Sequence, residues 1–276
     1  MARTFDLGCS FGIIQGRLSA QTDRGYQSFP WETWEAEFGL AADRGLEHIE
    51  WVLDSWRLDE NPLLSDTSGV IGRAQETGVQ VLSVCADYLM DRPLDVTDSG
   101  SWAVLSQLAD AMRELGAQWL VVPCVDQSSL RTPSSLARFA SAADQLGGEL
   151  AGTGIRVSLE SDLGPAEFAA LLANLDPEIF GVNYDIGNSA YLGYAHDEEF
   201  DAYGDRISLV HIKDRLFEGG SVPLGHGNAD IPGVIERLRA MKFNGPVTMQ
   251  AFRDAPGIEI LDDQLRWLMP ILEGSA

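Results

Sequence analysis

Short apolar runs alternate with longer segments in which apolar residues recur every three or four positions, and the alternation extends along most of this 276-residue chain. Runs of the first kind predict strands at Asp6–Gln15, Glu47–Trp51, Val79–Ala86, Trp119–Pro123, Ile155–Glu160, Phe180–Tyr184, Ile207–His211 and Gly245–Gln250. Segments of the second kind predict helices. Glu32–Arg44 turns Trp34, Phe38, Leu40 and Ala41 to one side, and Ser101–Leu115 repeats Val104, Leu105, Leu108, Met112 and Leu115 at helical steps. Thr132–Ala151 opens on Thr132-Pro133-Ser134 and closes at Gly152-Thr153-Gly154. Gly164-Pro165 opens Ala166–Asn174, Asp230-Ile231-Pro232 starts Gly233–Met241, and Glu259–Leu272 is the last helix. Tyr191–Tyr203 reads instead as a loop with a short acidic turn.

Eight strand–helix alternations without a break in composition predict an α/β fold, a single (β/α)8 TIM barrel spanning residues 1–276. A doubly wound open sheet is the alternative, but no GxGxxG follows the first strand.

Composition narrows the partners. The chain carries 19 Lys and Arg against 42 Asp and Glu, a formal charge of −23, with no basic run. Such a surface repels phosphate backbones and anionic headgroups, which argues against nucleic acid and membrane as partners. Cys9, Cys85 and Cys124 sit in apolar runs with no CxxC pair, as expected of buried thiols in a reducing compartment. Met1–Ser10 lacks the apolar core of a signal peptide and no stretch has the length of a membrane span, so a cytoplasmic location is expected.

Catalytic residues of a parallel barrel come from the C-terminal ends of its strands. Those ends carry Gln15 and Arg17, Glu50, Asp87, Asp126, Glu160 with Asp162, Asp185, His211 with Lys213 and Asp214, and Gln250 with Arg253. Glu160, Asp185 and His211 each finish an apolar run, where a polar group is costly unless it meets solvent, a partner or a metal. They are spaced 25 and 26 residues apart, one strand–helix repeat each, which places them side by side at the rim. Two carboxylates and an imidazole suit Mn²⁺, Mg²⁺, Co²⁺ or Zn²⁺, with coordination positions left for substrate oxygens.

The stretches Ser158-Leu-Glu-Ser-Asp162, Asn183-Tyr-Asp-Ile-Gly-Asn188, Val210-His-Ile-Lys-Asp214 and Pro223-Leu-Gly-His-Gly-Asn-Ala-Asp230 resemble motifs of the xylose-isomerase-like barrels. So do Gly12-Ile-Ile-Gln-Gly-Arg-Leu-Ser19 and Leu46-Glu-His-Ile-Glu-Trp51. That superfamily holds sugar and sugar-phosphate isomerases and epimerases, inosose dehydratases and metal-dependent apurinic endonucleases. The resemblance implies that Glu160, Asp185 and His211 ligate one divalent metal ion, and that the chain is an isomerase or epimerase of a small sugar, sugar phosphate or cyclitol. A lyase or dehydratase on the same scaffold, or a barrel that only binds, are the alternatives. Relatives are often dimers or tetramers, so a homo-oligomer is compatible.

The family's usual fourth ligand, a glutamate ending strand 8, is replaced here by Gln250, whose amide oxygen can ligate but cannot take a proton. In the family's ketose 3-epimerases two glutamates exchange a proton across an enediolate. Here Glu160 remains as a catalytic base; Lys213, Asp162 or His226 can stand in for the second, or the reaction is a same-face aldose–ketose shift that needs one base, or an elimination or hydrolysis that uses a metal-bound water. Gln15, Arg17, Glu50, Asn188, Arg215, His226 and Arg253 are expected to bind substrate, the arginines through oxyanions or hydroxyls. A pairing of Glu50 with Arg17 is the alternative at those two positions.

Overall fold

The computed structural model describes residues 8–274. Its strands are β1 (Phe11–Ile14), β2 (His48–Val52), β3 (Gln80–Cys85), β4 (Trp119–Cys124), β5 (Arg156–Ser161), β6 (Phe180–Asp185) and β7 (Ile207–Ile212). A two-stranded antiparallel hairpin of β8 (Asp214–Arg215) and β9 (Ser221–Val222) follows, then β10 (Val247–Met249). Apart from the hairpin, the strands pair in parallel around a closed barrel in the order β1-β10-β7-β6-β5-β4-β3-β2. The expected (β/α)8 barrel is therefore the observed fold. Asp6 and Leu7, where the first predicted strand begins, lie outside the described residues.

Two apolar clusters organise the packing. The larger lies between the barrel wall and the helices around it. The smaller fills part of the lumen with Ile14, Val52, Cys85, Val121 and Leu209. Much of the rest of the lumen is polar and internally bonded. His48 bridges Ser10 Oγ (2.8 Å) and Thr248 Oγ1 (3.0 Å), and Ser158 meets Ser208 (2.8 Å). Gly12 makes room for the first of these links, since a Cβ there would strike the His48 ring and carbonyl.

Helices form where expected, with one correction, and further helices fill stretches for which the pattern sets no bounds, among them Tyr88–Asp91. Tyr191–Tyr203 is mostly helical rather than loop, comprising the end of Ile186–Leu192 and all of His196–Tyr203. Asp185 caps the first by accepting from Asn188 N, and Gly193 ends it in the left-handed region. The acidic residues Asp197, Glu198 and Glu199 fall in the first turn of the second, where the helix dipole favours them. Between β2 and β3, where the alternation calls for a helix without setting its bounds, Pro62–Ser65 and Ser68–Thr77 are helical. Gly69 and Gly72 weaken the local signal there, and packing against the helix Trp34–Asp43 supplies what propensity does not.

Burial lowers the His48 pKa to about 4 from its ordinary 6.5, although the Glu50 carboxylate pulls the other way. An unfolded chain thus takes up a proton near pH 6.5 that the native protein refuses until about pH 4. The contribution is present above 6.5 and is lost as pH falls through that window, by up to about 1.4 kcal/mol per pH unit. His48→Gln is expected to flatten this limb when denaturation midpoints are measured from pH 7 down to 4, roughly the window in which the shift acts. Parallel limbs for the two proteins would contradict the assignment.

Candidate metal centre and active site

Glu160, Asp185 and His211 lie at the C-terminal ends of three neighbouring strands, β5, β6 and β7, with Asp185 in register with His211. One ligand atom from each lies within 4.8 Å of the others, and all three side chains are buried. The sequence brings them together because each occupies an inward-facing position near its strand's end.

Each is held by other polar groups. Glu160 accepts from Asn188 Nδ2 at Oε1 (2.7 Å) and from Asn183 Nδ2 at Oε2 (2.8 Å). Asp185 Oδ1 accepts from Asn188 N (2.8 Å), so one short segment orients both carboxylates. His211 places Nε2 2.7 Å from Glu50 Oε1, while Nδ1 is 3.5 Å from Glu160 Oε2 and 3.1 Å from Asn183 Nδ2. Burial alone would lower the His211 pKa, but Glu50 and Glu160 overcome it and raise it to about 10. The imidazole, itself fully buried, sits between two carboxylates.

Above this layer lies Lys213, whose Nζ is 3.4 Å from Asp185 Oδ2 and 3.2 Å from Gln250 Oε1. Gly187 leaves the space for it, because a Cβ at that position would come within 2.7 Å of Lys213 Cγ. Gln250 donates through Nε2 to Gln27 Oε1 (2.8 Å), and Gln27 Nε2 donates to Asp87 Oδ2 (2.7 Å). The Gln250 carboxamide is thereby fixed with its oxygen toward Lys213. Burial raises Asp87 to about 6, against the hydrogen bonds from Gln27 and Cys85. Arg215 donates to Asn188 Oδ1 (2.9 Å) and lies over the Tyr191 ring, so it braces the residue that holds Glu160.

The remaining expected substrate residues are placed differently. The guanidinium of Arg17 donates to Ala251 O (3.0 Å), Tyr26 O and Gln27 Oε1, and that of Arg253 to Gly16 O and Ser19 O. Both side chains are buried and tie the loop after β1 to the one after β10, which leaves them no free fork for an oxyanion. The alternative pairing of Glu50 with Arg17 is also corrected, since Glu50 faces the lumen and meets His211 and Ser83. Gln15 Oε1 accepts from Val52 N (2.9 Å), and His226 is exposed in the turn that follows β9. The Gly-rich Glu218–Ser221 forms the hairpin turn, where Gly219 N already donates to Leu216 O.

Residues 38–271 match the family model described as xylose isomerase-like TIM barrel. The chain belongs to that family. Among curated proteins this family member is 27% identical over 201 residues to 2-epi-5-epi-valiolone 7-phosphate 2-epimerase of Actinoplanes sp., covering 70% of the chain and 73% of that enzyme. It is 30% identical over 122 residues to inosose dehydratase of Lactiplantibacillus plantarum, covering 37% of the chain and 38% of that enzyme. Its fold matches that of IOLI protein, solved with a zinc atom, with a TM-score of 0.74 at 12% identity over 97% of this chain and 99% of the other.

The residues of this family member fit a divalent ion. The Glu160 and Asp185 oxygens keep lone pairs beyond the single donors they meet, the His211 ring adds a nitrogen donor, and the oxygen–nitrogen set is the one that Mn²⁺, Mg²⁺, Co²⁺ and Zn²⁺ accept. Two contributors escaped the sequence reading. Asn183 had a signal, since it lies two residues before Asp185 and so shares its face of β6. Gln27 had none, because its loop has no periodicity.

The loop that carries Gln27 is pinned by Glu37, wholly buried, which accepts from Gly16 N (3.0 Å) and Ser19 Oγ (2.7 Å). Glu37→Ala leaves both donors without an acceptor and is expected to cost about 2–4 kcal/mol in chemical denaturation. A change within about 0.5 kcal/mol would show that the loop does not depend on it.

Proposed function

We propose that this protein is a divalent-metal-dependent isomerase or epimerase of a small sugar, sugar phosphate or cyclitol. The observation that carries the reading is the convergence of Glu160, Asp185 and His211, with Lys213 and Gln250 beside them. The names of the relatives, an epimerase of a cyclitol phosphate and a dehydratase of an inosose, support the substrate class. Glu160, Asp185 and His211 would hold the ion, with Gln250 Oε1 as a neutral fourth donor. An ion bound there would polarise a substrate carbonyl and stabilise the negative charge of an enediolate.

The chain's own groups supply the proton transfers. Glu160 removes the proton α to the carbonyl, its geometry fixed by Asn183 and Asn188. Lys213, partly exposed at the mouth, holds protons that Gln250 cannot take, and it returns one to carbon or to an adjacent oxygen. The three cysteines, all free and buried, suit a reducing compartment, and we place the protein in the cytoplasm. Among the described residues no helix is long and apolar enough to cross a membrane.

A dehydratase is the second reading, favoured by the amide at position 250, because β-elimination needs one base and an acid for the leaving hydroxyl. Lys213 suits that acid. Incubation of ketoses, ketose phosphates and inososes in D₂O separates the two: isomerisation or epimerisation puts deuterium on carbon without loss of water, whereas dehydration lowers the product mass by one water. Lys213→Met is expected to lower kcat by roughly 10²–10⁴-fold. Unchanged turnover in that variant would remove Lys213 from the chemistry.

A further inference from the structure

Glu50 reaches His211 from β2, three strands around the barrel from β7. Both side chains are fully buried, and Nε2 of His211 lies 2.7 Å from Glu50 Oε1. Among the described residues that oxygen, itself buried, accepts no other contact as close, and its approach to Nε2 is a charged contact rather than a well-aligned hydrogen bond. The second oxygen, Oε2, accepts from Ser83 Oγ at 2.7 Å, which fixes the plane of the carboxylate. Nδ1 lies 3.5 Å from Glu160 Oε2, and Asn183 Nδ2 sits over the ring, 3.1 Å from Nδ1 and 3.5 Å from Nε2.

We infer that Glu50 is the positioning residue of the metal centre: it holds the proton of His211 on Nε2 and so assigns Nδ1 as the ligand atom. The inference rests on the proposed metal site and adds which atom binds and what orients it. A buried carboxylate oxygen whose close neighbour is Nε2 would be left uncompensated if the proton moved to Nδ1. The same proton makes the ring a stronger donor at Nδ1, and a carboxylate partner of this kind is worth roughly 10–100-fold in metal affinity. Ser83 acts one step further out by restraining Glu50. Neither residue is in a position assigned to substrate by this geometry, so the substrate role expected of Glu50 is replaced by one toward His211.

The test uses Zn²⁺ alone as the probe, with no substrate and no assay of turnover. In protein carrying ¹⁵N-labelled histidine, long-range ¹H–¹⁵N spectra of the Zn²⁺-loaded wild type should show His211 protonated at Nε2 with Nδ1 bound. Calorimetric titration of chelator-treated protein should give a Zn²⁺ dissociation constant roughly 10–100-fold weaker in Glu50→Gln. The constant should be several-fold weaker in Ser83→Ala, a smaller change that serves if Glu50→Gln does not fold, as judged by circular dichroism. A proton on Nδ1 with zinc on Nε2, or affinities within twofold of wild type in a folded Glu50→Gln, would overturn the inference and leave the metal site standing. Wild-type protein that takes up no Zn²⁺ would overturn both.

Discussion

The structure is governed by the cost of burying ionisable groups in the barrel lumen. Glu50, His211 and Glu160 form a line across that lumen, acid–imidazole–acid, and each member makes the burial of the next tolerable. Removing any one would leave a charge uncompensated, which costs far more than the pair contributes in itself. Ser83, Asn183 and Asn188 exist in this layer to satisfy the oxygens that the line leaves over. A centre so arranged is organised before any ligand arrives, which is what electrostatic catalysis requires.

The departure at position 250 is coupled to the loop after β1. A glutamate in place of Gln250 would face Gln27 Oε1, an acceptor, in the spot where the amide now donates. Gln27 in turn donates to Asp87 and accepts from Arg17, so four residues agree on the direction of each amide. The loop holds its shape because Glu37 gathers the Gly16 amide and the Ser19 hydroxyl, while Arg17 and Arg253 take up carbonyls that would otherwise be stranded. Changing Gln250 alone therefore disturbs a chain of hydrogen bonds as well as the charge of the site.

The strand ends that carry Glu160, Asp185 and His211 are legible in the sequence because the spacing of one strand–helix repeat brings them to one rim. The barrel itself is legible for the same reason. What faces what across the lumen is not, since that depends on strand stagger and on register shifts, such as the one between Val182 and Asn183, that no single strand encodes. Glu50 could be read as a strand terminus but not as the partner of His211. Arg17 and Arg253 looked like anion forks because a loop's unsatisfied carbonyls cannot be seen in its sequence. The helix at His196–Tyr203 was missed because its first turn is acidic and its buried face rests on Phe200, Tyr203 and Glu199, the last held by three hydroxyls from Tyr184, Ser189 and Tyr203.

Glu160, Asp185 and His211 are proposed to form one metal site. Elemental mass spectrometry on protein purified without chelator, beside Asp185→Asn and His211→Ala, tests it most directly. About one equivalent of Mn, Co, Zn or Mg in the wild type, lost in both variants, is the result expected of a single three-ligand site. Wild-type protein without metal, and without thermal stabilisation when any of these ions is added, would contradict the account and leave a barrel whose buried acids and histidine serve only one another.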